Sequence, residues 1–101
     1  MPFALITGAS KGIGKAIARD LAARGYDLLL VARSEDLLKE TASEIAAGSR
    51  VDCQWLALDL SGDQAAARVY AYCKQHALPV SILVNNAGYG LSGPFEKYTG
   101  D

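Results

Sequence analysis

Four short stretches that read as strands, the largely apolar Phe3–Thr7, Tyr26–Ala32 and Val80–Val84 and the segment Val51–Leu58 rich in strand formers, alternate with three stretches whose apolar residues recur at helical spacing. The alternation leaves few folds open. Strand-helix-strand units of this length join parallel strands by right-handed crossovers, with helices on the faces of the sheet. The run Tyr26–Ala32 is apolar throughout except for Asp27, as expected of a strand covered on both faces. The chain therefore predicts an α/β fold of order βαβαβαβ. It corresponds to the first half of a Rossmann-like, doubly wound parallel sheet, with strands in the order 3-2-1-4.

The intervening stretches carry their own punctuation. Ile13, Ala16, Ile17 and Leu21 form the first helical stripe, which ends at Gly25 in the C′ position. Ser34 caps the second helix, Glu35 and Asp36 occupy its positive first turn, and Leu38, Ala42 and Ile45 form the buried stripe up to Gly48. Asp63 to Ala77 reads as the third helix, packed through Ala66, Val69 and Cys73, with Pro79 separating it from the fourth strand. No repeat or low-complexity linker interrupts the pattern, so residues 1–101 form one domain. A chain of this size buries roughly 60 to 70% of its unfolded surface.

Composition narrows the function. A net charge of -1 with 21% charged residues gives no basic face for nucleic acid. The longest apolar run, Leu28–Ala32, is far shorter than a bilayer span. The N-terminus has no basic segment followed by a long apolar one, and a cytoplasmic location is expected. Cys53 and Cys73 form no C-x-x-C pair, and Cys73 with His76 at i, i+3 gives two ligands where a metal site needs more. The expectation is a buried thiol, a surface histidine and no metal.

The first strand runs into Thr7-Gly8-Ala9-Ser10-Lys11-Gly12-Ile13-Gly14. Glycines at a strand-to-helix turn permit positive φ and close approach of a ligand, and the helix N-terminus behind them attracts an anion such as a pyrophosphate. A P-loop is excluded twice, because Ala9 stands where its first glycine belongs and Ala16 where its hydroxyl belongs. The G-x-G-x-x-G fingerprint fails at Ile17.

The pattern T-G-x-x-x-G-x-G does fit, and with it the chain resembles the N-terminal part of a short-chain dehydrogenase/reductase. Asn85-Asn86-Ala87-Gly88 at the end of the fourth strand and Leu58-Asp59-Leu60 at the end of the third stand where that family carries its own motifs. The resemblance covers essentially the whole chain. It implies that Gly8, Ser10, Lys11, Gly12, Ile13 and Gly14 form the turn that meets the cofactor, with Ala32, Arg33 and Ser34 at the end of strand two. Asp59 would bond the adenine amino group and Leu60 would line the adenine pocket. Asn86, Ala87 and Gly88 would flank the ribose and brace the sheet.

Which nicotinamide cofactor is bound depends on the end of strand two. An NAD site places a carboxylate there for the ribose 2′-hydroxyl. Here Arg33 occupies the tip, and Glu35 and Asp36 come later. A guanidinium grips a 2′-phosphate through charge-assisted bonds of about 1.5 to 3 kcal/mol each. Lys11 and Ser10 add a charge and a hydroxyl on the same side. NADP(H) is therefore expected in preference to NAD(H). Arg33 also counts against an S-adenosylmethionine-dependent methyltransferase, which places an acid at this position.

By the same resemblance, the chemistry is hydride transfer between the nicotinamide and a carbonyl or alcohol carbon. It is carried by a tyrosine, a lysine four residues later and a serine. Tyr70 and Lys74 match that spacing but precede the Asn85–Gly88 motif instead of following it. They are assigned a structural role. The family's catalytic residues are expected beyond Asp101, so no residue of this chain is assigned to catalysis, and the 101-residue stretch alone is expected to be inactive. A small-molecule carbonyl or alcohol substrate and a homo-oligomer are implied, with neither nucleic acid nor membrane as partner. Residues Tyr89 to Phe95 would begin one wall of the substrate pocket. A non-catalytic NADP(H)-binding module or truncated product is the alternative. In a chain ending here, Ile82-Leu83-Val84 would form an apolar sheet edge prone to self-association.

Overall fold

The computed structural model describes residues 3–8, 12–59 and 64–85. It runs β1 (Phe3–Thr7), α1 (Gly12–Ala23), β2 (Asp27–Ala32), α2 (Glu35–Gly48), β3 (Cys53–Ala57), α3 (Ala65–Gln75) and β4 (Val80–Asn85). The four strands form one parallel sheet in the order β3-β2-β1-β4, as the alternation predicted. Met1, Pro2, Ala9 to Lys11, Leu60 to Asp63 and Asn86 to Asp101 lie outside the described residues. The expectations placed on Ser10, Lys11, Leu60, Asn86, Ala87, Gly88 and Tyr89–Phe95 fall there.

The two central strands explain the core. Every residue of β1 is buried, and in β2 only Asp27 is not. That one charged residue stands at the first position of β2, where its carboxylate accepts the backbone N–H of Asp52 at 2.8 Å. Alternate side chains serve opposite faces. Ala4, Ile6, Leu28 and Leu30 meet Ala18 and Ala22 of α1 and Leu38, Ala42 and Ile45 of α2. Phe3, Leu5, Leu29 and Val31 meet Ala65, Val69 and Cys73 of α3. Each fully buried leucine contributes about 1.5 to 3 kcal/mol, so β2 alone, with Leu28, Leu29 and Leu30 at 0% exposure, anchors both layers.

Helix α1 departs from the expected stripe. Gly14, Ala18 and Ala22 form its buried line, while Ile17 and Leu21 are half-buried and Ile13 is 71% exposed. Small side chains let this helix lie close on the sheet, and the larger ones are turned to its flanks. α1 ends as predicted: Gly25 has φ 93°, its N–H bonds the carbonyl of Ala22 at 3.0 Å, and the Tyr26 N–H bonds that of Leu21 at 3.1 Å. This is a Schellman cap. α3 ends in the same way, with Ala77 N–H on Lys74 at 3.2 Å and Leu78 N–H on Cys73 at 2.9 Å, but with alanine at φ 53°. The third strand is shorter than the run Val51–Leu58 and half-buried throughout, as suits an outer strand. β4 is the other outer strand.

Candidate functional site at the carboxyl ends of the strands

The register of the sheet brings its carboxyl ends into line. Thr7 pairs with Val31 on one side and Asn85 on the other, and Ala32 pairs with Ala57. Backbone bonds extend the ladder one step further, from Gly8 N–H to Val31 at 2.8 Å and from Leu58 N–H to Ala32 at 2.8 Å. Gly8, Arg33 and Asp59 therefore leave neighbouring strands along one edge. The Thr7 hydroxyl, fully buried, donates to the Val84 carbonyl at 3.4 Å and ties the end of β1 to β4.

The turn after β1 depends on glycine for its backbone. Gly8 and Gly12 have φ 66° and 63°. A Cβ added at Gly12 would meet nothing among the described residues within 4 Å, so it is the conformation that demands glycine there. Gly12, Ile13 and Gly14 begin α1, whose first turn contains no acidic residue. Ile13 projects an apolar side chain from that turn, 71% exposed. A helix start of this kind attracts a phosphate oxygen through its N–H groups and dipole.

At the end of β2 the chain turns at Arg33 into α2. Ser34 has extended backbone, φ -87° and ψ 107°, and its Oγ accepts the Leu37 N–H at 3.4 Å, which makes it the helix cap the sequence predicted. The Arg33 side chain is exposed, and no carboxylate among the described residues pairs with it. Asp59, also exposed, follows β3. Gly8, Gly12, Ile13, Gly14, Ala32, Arg33, Ser34 and Asp59 thus lie at the carboxyl ends of their strands or at the helix starts that follow, where a parallel sheet of this type offers its ligand crevice.

Tyr70 and Lys74 stand elsewhere. They line an open cavity of about 400 Å³ together with Cys73, Leu78 and Val80. Val80 is the first residue of β4, so this cavity lies at the amino end of the sheet, opposite the glycine turn. Lys74 Nζ sits over the face of the Tyr70 ring, 5.7 Å from its centroid, which is a packing contact. Burial pushes the Cys73 thiol up to about 11, and burial with the nearby Asp52 charge pushes Cys53 up to about 12. Neither thiol is poised as a nucleophile. Among the described residues no cluster of three metal-ligating side chains occurs, and no helix is long and apolar enough to cross a membrane.

The sequence profile of the short chain dehydrogenase family matches residues 2–101. The chain belongs to the short chain dehydrogenase family. A very-long-chain 3-oxoacyl-CoA reductase of Kluyveromyces lactis is 39% identical over 99 residues, covering 94% of this chain and 28% of the reductase. Among solved structures, the L-sorbose reductase of Gluconobacter frateurii, complexed with NADPH and L-sorbose, superposes with a TM-score of 0.81. It is 35% identical and covers 94% of this chain and 36% of its own. A short-chain dehydrogenase of Sphingobium yanoikuyae in complex with NADPH has a TM-score of 0.78 and 40% identity, covering 98% of this chain and 39% of its own. This short chain dehydrogenase sequence thus spans between about a quarter and two fifths of the length of these relatives.

One cross-helix contact has no signal in the sequence. Glu44 of α2 receives Lys15 Nζ at 3.2 Å and Arg19 at 2.5 Å, both from α1. Its carboxyl is held below the ordinary value of 4.5, chiefly by the hydrogen bond from Lys15 and then that from Arg19. Glutamate at this position of an amphipathic helix reads as a solvated surface charge, and nothing in the local pattern marks its partners.

Proposed function

We propose that the chain is the NADP(H)-binding part of an oxidoreductase that interconverts a carbonyl compound and an alcohol. The observation that carries the cofactor reading is Arg33. It is exposed at the end of β2, has no carboxylate partner among the described residues, and leaves the sheet on the same edge as the glycine turn. In this reading the N–H groups at Gly12, Ile13 and Gly14 hold the pyrophosphate, and Gly8, whose own N–H is bonded to Val31, lets the chain turn out of β1 beside it. Arg33 and the Ser34 hydroxyl, with Lys11 and Ser10, hold the 2′-phosphate. Asp59 accepts the adenine amino group, Leu60 packs on the ring, and Asn86, Ala87 and Gly88 flank the ribose.

When bound, the cofactor would supply or accept the hydride; the residues of this chain orient it and neutralise its phosphates. The Kluyveromyces lactis and Gluconobacter frateurii relatives are both reductases, and their names specify ketone substrates, a 3-oxoacyl-CoA and L-sorbose. A ketone and its secondary alcohol are accordingly the substrate class proposed. Homo-oligomeric assembly and a cytoplasmic setting belong to the same proposal. The relatives named above give no support to a non-catalytic nucleotide-binding module.

The test is Arg33→Glu in the intact protein, titrated with NADPH and NADH. NADPH affinity should fall by at least about tenfold, the equivalent of one charge-assisted bond, while NADH affinity holds. Equal losses for both cofactors would refute the role given to Arg33.

A further inference from the structure

Helix α1 opens on Gly12-Ile13-Gly14-Lys15, a poor start for a helix. Glycine is among the weakest helix formers, and Lys15 places a positive charge beside the positive end of the dipole, with no acid in the first turn to oppose it. α2 supplies that acid. Glu44 stands 3.2 Å from Lys15 and 2.5 Å from Arg19, so one carboxylate spans the first and second turns of α1. The Lys15 side chain is only 25% exposed. The ion pairs Arg24–Asp20 and Lys39–Glu35, by contrast, are i, i+4 pairs that tie no element to another.

We infer that Glu44 is a positioning residue for the glycine turn: by holding Lys15 and Arg19 it keeps the first turns of α1 formed and fixed against α2. The N–H groups that would meet a pyrophosphate are thereby held ready for it. Charge alone predicts the opposite sign, since removing Glu44 would leave two cations near the helix start and strengthen its pull on an anion. The sign of the effect decides between them. The inference rests on the reading that this turn holds a cofactor pyrophosphate, but its first consequence can be measured without any ligand.

Glu44→Gln in the intact protein keeps the shape and removes the charge. Amide hydrogen exchange of residues 16–19, whose N–H groups bond back to the first turn, should accelerate without ligand by roughly twofold to tenfold, the range expected of exposed ion pairs acting together. NADPH and NADH should weaken by a similar common factor, while 2′-AMP, which lacks the pyrophosphate, binds as before. Glu44→Asp, which keeps the charge, should recover part of the loss. Unchanged exchange, tighter cofactor binding, or an equal loss of 2′-AMP would each overturn the inference. If the unaltered protein binds neither dinucleotide, the cofactor reading fails, and the exchange result still stands or falls by itself.

Discussion

Gly12→Ala separates backbone strain from ligand contact at the same atom. Gly12 lies at φ 63°, and a Cβ there meets no atom of the described residues within 4 Å. The substitution therefore creates no internal clash. Its cost to the ligand-free protein is the left-handed conformation, roughly 1 to 2 kcal/mol for an L-residue. Part of this is offset because alanine loses less entropy than glycine on folding, by about 0.4 to 1 kcal/mol. A net destabilisation of about 1 kcal/mol follows, which for a domain of this size lowers Tm by roughly 4 to 8 °C.

Cofactor affinity should suffer more. The added methyl enters the open space that a pyrophosphate would occupy, and losing one or two charge-assisted N–H bonds there costs about 1.5 to 3 kcal/mol each, at least tenfold in Kd. Thermal unfolding gives the first number and titration of NADPH gives the second. Trp55, the only tryptophan in the sequence, offers a fluorescence signal for both. Gly12→Asn tests the division, because asparagine tolerates the left-handed region better. It should recover stability but not binding. If Gly12→Ala keeps full NADPH affinity while losing the expected stability, no ligand comes close to this turn, and the assignment of the site is refuted.

Ala77→Gly should stabilise the protein by roughly 0.5 to 1 kcal/mol, because Ala77 sits at φ 53° in the cap of α3 where Gly25 serves α1. Denaturant unfolding with an unchanged slope is the check, and a destabilisation would show that the methyl is needed where it stands. Tyr70→Phe should leave NADPH affinity unaltered; a marked loss would mean that the cavity at the amino end of the sheet communicates with the cofactor. Cys53 and Cys73, with thiols raised to about 12 and 11, should resist iodoacetamide at pH 8 in the folded protein and react on unfolding. Rapid labelling of either in the native state would contradict the burial of Cys73 and the half-burial of Cys53. Glu44 has its folded-state pKa depressed below 4.5, so its contribution to stability is present above that value and is lost as pH falls through the folded pKa. The stability gap between the unaltered protein and Glu44→Gln should accordingly close as pH drops below 4.5; a gap that persists or widens on acidification would exclude the ion pairs as its source.

Strand order and the positions of Gly25 and Ser34 were legible in the sequence because each rests on local chemistry: an unbroken apolar run, a glycine after a helix, a hydroxyl before one. The buried face of α1 was not. The helical spacing of apolar residues suggested Ile13, Ala16, Ile17 and Leu21, of which the three large ones are only partly buried or exposed and Ala16 is exposed, whereas the buried line runs along Gly14, Ala18 and Ala22. Apolar periodicity follows size, and close packing here selects against it. The cap at Ala77 could not be anticipated, since its Schellman bonds hold an alanine where local chemistry calls for glycine. Glu44 escaped notice for a different reason. Its partner Arg19 is 25 residues away in sequence, and only the docking of α1 beside α2 brings the charges together. Gly12 was legible from the glycine spacing, Arg33 from its place after strand two and Asp59 from the family resemblance, and the sheet register puts the ends of β1, β2 and β3 on one edge.

The most direct measurement is calorimetric titration of the intact, unaltered protein with NADPH and, separately, with NADH. Tight NADPH binding with NADH at least about tenfold weaker, the difference one charge-assisted bond to the 2′-phosphate makes, is the predicted result. Equal affinity for the two, a preference for NADH, or no binding of either would contradict an NADP(H) site built from the glycine turn and Arg33.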